Sequence, residues 1–450
     1  MSSNTSMHGF WKSRWLFILA ATGSAVGLGN IWKFPYITGE NGGGAFVLVY
    51  LLCICIIGIP VMIAEVSLGR MGRQSPINTM KALAQKAGAN PFWASIGWMG
   101  AIAGFLILSF YSVIAGWALS YTVEMASGSF VDISAADSGK IFGNLLGDPT
   151  QLTIWHTVFM ILTMVIVARG VNAGLEKAIK VLMPALFILL FILFGYALSS
   201  SGYSQGFAFM FNFDFSKLSS QSVIVALGHA FFTLSLGLGA IMAYGAYMPK
   251  NTSIAKTVVI VAFLDTAVAI MAGLAIFPIV FANGLEPSAG PGLLFQTLPI
   301  AFGQMSAGVI FGTMFFVLVS FAAWSSAISL AEPIVAWMVE KYKMGRATAA
   351  LIIGACAWLL GLATVFSFNI WSEVKLFDKT VFDLLDFATT NVMLPLGGLL
   401  IALFASWTMS KTTMMNEVGI NNPMVFKAWH FTLRFLAPAA IIAVLVNGLI

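Results

Sequence analysis

The chain has 450 residues, of which 59% are hydrophobic and only 9% are charged, and its net charge is +5 at pH 7. Soluble globular proteins carry about 25% charged residues, so this composition excludes a soluble protein and indicates an integral membrane protein. Apolar runs of about 20 residues recur along the chain, which predicts membrane-spanning helices and excludes a barrel of short alternating strands.

Hydropathy and polar breaks predict an all-α protein with eleven membrane spans. In chain order the predicted spans are 14–39, 43–69, 91–126, 152–169, 176–199, 221–247, 254–282, 307–340, 347–367, 380–409 and 427–449. The longest connectors are residues 127–151 and 283–306. The second is rich in Gly and Pro but keeps apolar residues, which suggests a short re-entrant helical hairpin.

The basic residues follow this topology. If the N-terminus is cytoplasmic, sixteen lysines and arginines fall on the cytoplasmic side and only five on the outer side. This asymmetry predicts a cytoplasmic N-terminus and, with an odd number of spans, an extracellular C-terminus. The positive charge therefore needs no nucleic-acid partner to explain it.

Two predicted spans contain similar glycine clusters near their middle, "VGLGNIW" at 26–32 and "LGLGAIM" at 236–242. Glycine costs about 0.8–1 kcal/mol relative to Ala inside a helix, so both clusters are candidate breaks. They lie five spans apart, which predicts two inverted five-span repeats, 14–199 and 221–409, followed by an extra span, 427–449. The alternative is that both clusters are small-residue packing interfaces.

Polar side chains in these spans are candidate ion ligands. A carboxylate at the depth of Asp265 is costly without a partner, and hydroxyl, amide and carboxylate oxygens suit an alkali cation. Asn30, Thr233 and Asp265 are predicted to form one cation site, and Ser325 with Ser326 part of a second. For any single Ser or Thr, the alternative is a hydrogen bond back to its own helix.

Other polar residues suggest no catalysis. Glu65 is predicted to accept hydrogen bonds from the unwound backbone of the first span. The histidines are scattered and no Cys accompanies them, so a zinc site is unsupported. No Ser–His–Asp arrangement or nucleotide-binding domain is evident, and we predict that the protein is not an enzyme.

The motifs "SAVGLGNIWKFPY", "GENGGGAFVLVYLL" and "GIPVMIAEVSLGR" closely resemble the opening of the neurotransmitter:sodium symporter family, above all its bacterial amino-acid transporters. "HAFFTLSLGLGAIMAYGAYM" and "FAAWSSAISLAEP" resemble the family's sixth and eighth helices. The resemblance covers essentially the whole chain. It implies the fold predicted above, with broken first and sixth helices, and sodium-driven uptake of an amino acid by alternating access.

The resemblance also implies residue roles. The first sodium site would be formed by Ala25, Asn30, Thr233 and Asp265. The second would be formed by Gly23, Val26, Ala322, Ser325 and Ser326. The substrate-binding residues would be Ala25, Gly29, Ile107, Tyr111, Phe232, Thr233, Ser235, Leu238, Ser326 and Leu330. The substrate carboxylate would meet the Gly29 amide and the Tyr111 hydroxyl. The gates would be Lys33 and Asp386 with the aromatic lid Phe232 on the outside, and Trp11, Tyr247 and Glu340 on the cytoplasmic side.

Departures from the family pattern sharpen these expectations. Chloride-dependent members typically have Asn at the position of Asp265 and Ser at that of Ala269, so a fixed carboxylate here predicts chloride independence. Proton antiport through Asp265 is a further hypothesis. Lys33 replaces a usual Arg and lacks its bidentate fork. No twelfth span or outer-loop disulfide is evident, which favours a bacterial plasma membrane.

The predicted pocket is apolar. Leu238 and Leu330 offer no partner for a charged side chain, which favours a hydrophobic or aromatic L-amino acid as substrate. Two sodium ions would accompany it, and oligomeric state is left open. The rival interpretations are an ion channel, which would need a continuous polar pore, and a membrane-embedded amino-acid sensor on the same fold.

Overall fold

The computed structural model describes residues 11–287 and 292–449, and the regular secondary structure in these ranges is helical apart from an isolated bridge between Leu376 and Lys379. The helices, numbered α1 to α18, are Arg14–Ala25, Gly29–Glu40, Gly44–Gly72, Pro76–Lys86, Pro91–Ala126, Ala135–Gly147, Pro149–Ala168, Val171–Leu198, Tyr203–Phe211, Ser220–Thr233, Ala240–Ala246, Ile254–Ala282, Leu293–Gly303, Gly308–Tyr342, Arg346–Ser367, Val381–Thr408, Lys411–Val418 and Pro423–Val446.

In the described chain, nine helices are long and apolar enough to cross a membrane, and the bent pair α1–α2 counts as a tenth span. Each lies within a few residues of a predicted span. The predicted sixth span is divided into α10 and α11, of 14 and 7 residues. At 1.5 Å per residue neither of these two helices crosses about 30 Å of hydrocarbon alone.

The first span breaks at the first glycine cluster. Helix α1 ends at Ala25, the next residue, Val26, is extended at φ −68° and ψ 111°, and α2 lies at an angle of 53° to α1. A Cβ at Gly27 would lie 2.5 Å from the Ser326 hydroxyl and 2.8 Å from the Tyr111 hydroxyl. Only glycine allows this close approach, so the sequence motif fixes the position of the break.

The second cluster interrupts the sixth span between α10 and α11. Ser235, Gly237 and Gly239 have φ of 54°, 79° and 72°, in the left-handed region that disfavours most L-residues. A Cβ at Gly237 would lie 2.5 Å from the Leu394 carbonyl oxygen. Both predicted breaks are therefore present in the structure as non-helical backbone.

The connector 283–306 was predicted to form a helical hairpin. Residues 288–291 of this prediction lie outside the described residues. The rest of the connector contains one short apolar helix, α13, packed against α14. The described residues of this connector therefore form a single helix, where a helical hairpin was predicted.

Packing separates a buried centre from an apolar exterior. Helices α5 and α14 run along each other through the centre and supply residues to the site described below. Helices α8 and α15 instead expose large apolar side chains, including Ile188, Phe191, Leu351 and Leu359. An apolar exterior of this kind is expected where helices face lipid.

Candidate functional site

A buried carboxylate joins the two broken spans. The Asn30 Nδ2 donates to Asp265 Oδ1 at 2.8 Å and to the Asp265 carbonyl at 3.0 Å. The Thr233 hydroxyl donates to Asp265 Oδ2 at 3.0 Å. All three side chains are fully buried. The structure thus brings together three of the four residues predicted for the first sodium site, one each from α2, α10 and α12.

Asp265 has hydrogen-bond donors but no cationic partner within the described part of the chain. A buried ionised carboxylate is strongly disfavoured without a compensating charge. Oxygen atoms of carboxylate, amide and hydroxyl groups are what an alkali cation prefers, so these residues fit a bound monovalent cation. Among the described residues, no group of three or more His, Cys, Asp and Glu could hold a metal ion.

A second oxygen cluster lies where α1 ends beside α14. The Ser326 hydroxyl is 3.0 Å from the Val26 carbonyl oxygen, 3.2 Å from that of Ser24 and 3.5 Å from that of Gly23. These carbonyls are available because the helix ends here and no residue of the next turn binds them. The hydroxyl of Ser325 donates to the Ala322 carbonyl at 3.0 Å. Of the five residues predicted for the second sodium site, Gly23, Val26 and Ser326 meet in this cluster, while Ser325 bonds back to Ala322 in its own helix.

A small cavity lies between the two clusters, with a volume of about 30 Å³. It is lined by Ser24, Ala25, Gly27, Gly29, Ile107, Tyr111, Phe232, Ser235, Leu238, Ser326 and Leu330. Nine of the ten predicted substrate-binding residues are in this lining. The tenth, Thr233, turns its hydroxyl towards Asp265 instead.

The cavity is much smaller than an amino acid in this conformation, since about 30 Å³ is the volume of one water molecule. The Tyr111 hydroxyl accepts from the Leu28 amide at 3.2 Å, one residue before the Gly29 amide predicted to share a carboxylate with it. The Ser235 hydroxyl donates to the Ser24 carbonyl at 3.0 Å. Binding a substrate here requires these side chains to move apart.

One side of the cavity, which we call the Lys33 side, opens into a wider space. A vestibule of about 290 Å³ is lined by Lys33, Phe232 and Asp386 among other residues. The Lys33 ammonium lies 4.7 Å from the centre of the Phe232 ring. Among the described residues no ion pair joins Lys33 to Asp386, so the predicted charged gate is not closed by an ion pair here.

The opposite side, which we call the Trp11 side, is densely closed. Trp11 is 2% exposed, and its ring nitrogen donates to the Tyr244 carbonyl at 3.2 Å. Its backbone amide donates to the Tyr247 carbonyl at 3.0 Å. The Tyr247 hydroxyl donates to Glu332 Oε1 at 2.8 Å, and Arg346 pairs with the other oxygen of Glu332.

The third residue predicted for this gate, Glu340, is held separately. Its carboxylate accepts from the Ser75 amide at 2.7 Å, the Ser75 hydroxyl at 2.5 Å and the Asn78 side chain at 2.6 Å. It therefore fastens the start of α4 to the end of α14. Trp11 contacts Tyr247, while Glu340 braces the neighbouring helix.

One expectation for a buried carboxylate was wrong. Glu65 was predicted to serve the unwound backbone of the first span, but its Oε2 accepts from the Gly237 amide at 3.0 Å, in the break of the sixth span. The left-handed turn at Gly237 points this amide away from any helical acceptor, so a side chain must satisfy it.

Glu332 and Arg346 were missed by sequence reasoning. Glu332 is fully buried in an apolar helix, so the cost of a carboxylate at membrane depth, which drew attention to Asp265, also applied to it. Arg346 lies at a helix start, where a basic residue is ordinary, and nothing in the sequence places it beside Glu332.

A model of the sodium:neurotransmitter symporter family matches residues 8–131 and 140–450 of the sequence. The chain belongs to this family. Members of the family are sodium-coupled membrane transporters and not enzymes, so the two oxygen clusters and the cavity between them lie in a multi-pass transporter.

Relatives and a solved structure agree with this membership. A sodium-dependent transporter of Bacillus subtilis, YhdH, described as uncharacterized, is 41% identical over 97% of both chains. An uncharacterized sodium-dependent transporter of Haemophilus influenzae is 34% identical over the full length of both chains. The crystal structure of MhsT in complex with L-phenylalanine is 45% identical, covers 98% of this chain and 99% of its own, and superposes with a TM-score of 0.90.

Proposed function

We propose that this symporter carries a hydrophobic or aromatic L-amino acid into the cell together with sodium, by alternating access. The observation that carries the proposal is the buried Asp265 carboxylate, which has no cationic partner in the described chain and lies where α2, α10 and α12 meet. A bound sodium ion would supply the missing positive charge.

We infer the topology from the contacts that Asp265 makes with the first and sixth spans. Helices α10 and α11 together would form the sixth span, which makes eleven spans with the N-terminus in the cytoplasm and the C-terminus outside. Residues 14–199 and 221–409 would be the inverted repeats, with 427–449 as the extra span. Asn30 and Thr233, from the first and sixth spans, share Asp265, which supports a site at the repeat interface.

Two sodium ions would travel as co-substrates. The first would be held by Ala25, Asn30, Thr233 and Asp265, with the substrate carboxylate as a further ligand, which couples the two cargoes directly. The second would be held by the oxygen atoms of Gly23, Val26, Ala322, Ser325 and Ser326. Two sodium charges crossing ~100 mV release about 4.6 kcal/mol, enough for a gradient of about a thousandfold. A proton carried outward on Asp265 would halve the net charge and leave about 2.3 kcal/mol, or about fiftyfold.

The substrate class follows from the cavity lining. Ile107, Leu238 and Leu330 are apolar and buried, and no charged residue lines the cavity among the described residues. A charged substrate side chain would be desolvated there without a partner. MhsT, of the same family, is solved with L-phenylalanine, which supports an aromatic or other large apolar substrate once the cavity expands.

We also propose chloride independence and proton counter-transport, both through Asp265. A carboxylate provides a permanent negative charge beside the first sodium site, where a neutral side chain would need an added anion. The same carboxylate can return inward protonated after sodium leaves. Replacing it by Asn removes both the charge and the proton carrier while keeping the shape of the side chain, although one acceptor oxygen becomes an NH2 donor.

Uptake into proteoliposomes tests the proposal. We expect saturable uptake of a labelled apolar amino acid that needs inward sodium, survives replacement of chloride by gluconate, and is competed by apolar but not charged members of the twenty amino acids. Non-saturating flux would indicate a channel, and binding without transport a sensor. For Asp265→Asn, a pH profile of uptake unchanged from wild type would remove Asp265 as the proton carrier.

A further inference from the structure

A basic patch lies on the outside of the protein, where the last long helix, α18, meets the end of α16. Three of its residues, Lys427, His430 and Arg434, share one face of α18 because they are spaced by three and four residues. Lys411, the first residue of α17, lies beside them, since the charges of Lys411 and Arg434 both act on His430. We call these four residues the Arg434 patch.

Arg434 is held in place by aromatic rings. Its guanidinium carbon lies 3.8 Å from the centre of the Trp407 ring and 5.7 Å from the centre of the Phe435 ring. The indole nitrogen of Trp407 donates to the Arg434 carbonyl at 3.2 Å, which keeps the two residues side by side. A ring contact uses the face of the guanidinium, so the N–H groups along its edge stay available for an acceptor.

The patch has no negative charge of its own in the described part of the chain. Arg434 Nε is buried there and has no hydrogen-bond partner. The ion pairs of the described residues include none of Lys411, Lys427 and Arg434. These two lysines and the arginine give the patch a net charge of about +3 at neutral pH. Because an unpaired donor on a buried charged group is costly, an anion from outside the chain would stabilise the patch.

The surroundings of the patch indicate a lipid as the source of this anion. Trp407, Phe431 and Phe435 are each about half exposed, and all three belong to helices long and apolar enough to cross a membrane. Exposed rings on such helices face lipid. An arginine among them can extend its long side chain towards the lipid headgroups. Its planar guanidinium pairs with phosphate oxygens through two parallel hydrogen bonds.

We propose that the Arg434 patch binds the phosphate of an anionic phospholipid, with the acyl chains against the exposed rings around it. The guanidinium of Arg434 donates to the phosphate oxygens, while Lys411 and Lys427 favour an anionic lipid over a neutral one. The end of α16 is cytoplasmic in the proposed topology, which puts this lipid in the cytoplasmic leaflet. Since Trp407 and Arg434 join α16 to α18, the bound lipid would also stabilise the packing of the last span.

Lipid binding by the purified full chain tests this site. The probe is phosphatidylglycerol, compared with phosphatidylcholine, and sodium phosphate is compared with sodium chloride at equal ionic strength. Native mass spectrometry counts bound lipids over a series of lipid concentrations, and the unfolding temperature measures stabilisation by each probe. The test variant is Arg434→Gln with Lys427→Gln. The matched control is Arg169→Gln with Lys177→Gln, an exposed arginine and an exposed lysine outside the patch.

We expect wild type and control to bind phosphatidylglycerol more tightly than phosphatidylcholine. The test variant should bind phosphatidylglycerol about thirtyfold more weakly, from the loss of two positive charges. Lys427→Gln alone changes an exposed position and should weaken binding about fivefold, so it tests the patch even if the double variant does not fold.

Several results would overturn the proposal. These are equal affinity in the test and control variants, equal binding of phosphatidylcholine and phosphatidylglycerol, and equal stabilisation by inorganic phosphate, which would indicate a soluble anion. A lipid-free dimer that only the test variant dissociates would assign the patch to a second copy of the chain. None of these measurements depends on substrate uptake, so failure here is distinguishable from failure of the proposed transport.

Discussion

The two sides of the central cavity are held by different kinds of contact. On the Trp11 side, a buried indole and a tyrosine–carboxylate–guanidinium chain tie α11, α14 and α15 together. On the Lys33 side, an ammonium lies over one aromatic ring, between spaces of about 290 and 300 Å³. Removing one partner of a buried ion pair costs about 3–5 kcal/mol, whereas a partly exposed cation–π contact contributes about 0.5–1 kcal/mol.

The two sides therefore differ in how strongly this conformation holds them closed. Alternating access requires that the two sides are never open together, and the structure shows one side closed by several kcal/mol of buried polar contact. The other side has room, so it is the side from which this conformation can admit a substrate. Substitutions on the Trp11 side should therefore have larger effects than substitutions on the Lys33 side.

The largest effect is expected for Glu332→Gln. Gln keeps an acceptor for Tyr247 but leaves the guanidinium of Arg346 without a carboxylate, in a position that is only 14% exposed. The closed Trp11 side should lose about 3–5 kcal/mol, and uptake should fall by about a hundredfold or more. Uptake and the unfolding temperature measure this.

Glu373→Gln, at an exposed position, is the matched control. The pair Glu332→Leu with Arg346→Met should regain much of the lost stability, because apolar replacement of both partners removes the unpaired charge. If Glu332→Gln unfolds at the same temperature as Glu373→Gln, the ion pair does not hold this side closed.

Trp11→Ala should have the second largest effect and destabilise the closed Trp11 side by about 3 kcal/mol. This is the low end for a buried tryptophan, because the backbone hydrogen bond from residue 11 to Tyr247 remains. Hydrogen exchange of residues 240–247 should rise. Trp15→Ala is a close control, since Trp15 is 65% exposed on the same helix region. Equal hydrogen exchange in the two variants would show that Trp11 does not protect residues 240–247 from exchange.

Much of the fold could be predicted from local signals. Apolar runs placed the spans to within a few residues, and glycine clusters placed both breaks, because lipid and backbone sterics act directly on the residues involved. Asp265 was found in the same way, since a carboxylate in an apolar run is conspicuous wherever it finally packs. Its two hydrogen-bond partners also came from the broken segments.

Some contacts between distant segments could not be predicted. Glu65 serves Gly237 and not the first span because helix packing, absent from the sequence pattern, decides which orphaned amide lies nearby. Arg346 meets Glu332 across a turn between two helices. Lys33 and Asp386 form no ion pair among the described residues, so the outer charged gate stays a prediction.

A smaller effect is expected on the Lys33 side. Lys33→Gln removes the ammonium from above the Phe232 ring, and substrate release towards that side should become about two to five times faster. Lys375→Gln is the exposed control. Asp386→Asn should change the release rate less than Lys33→Gln, because the two residues form no ion pair here. A larger loss from Asp386→Asn would show that a paired gate governs release.

The smallest effect is expected for Asp137→Asn, which isolates burial as the cause of the contrast. Asp137 and Lys140 form an ion pair of 2.9 Å, but their side chains are 55% and 71% exposed, against 0% for Glu332. The hydrogen bond from Lys140 lowers the pKa of Asp137 from its usual value. Any stabilisation by this ion pair is therefore present above the usual pKa of an aspartate, and it is lost only as the pH falls through the lowered pKa.

Between pH 5 and 8 the Asp137 carboxylate is ionised throughout, yet solvent screens the pair. The unfolding temperature of Asp137→Asn should therefore differ from that of wild type by less than about 1 °C. A shift as large as that of Glu332→Gln would mean that charge pairing alone, and not its burial, sets the strength of the closed side.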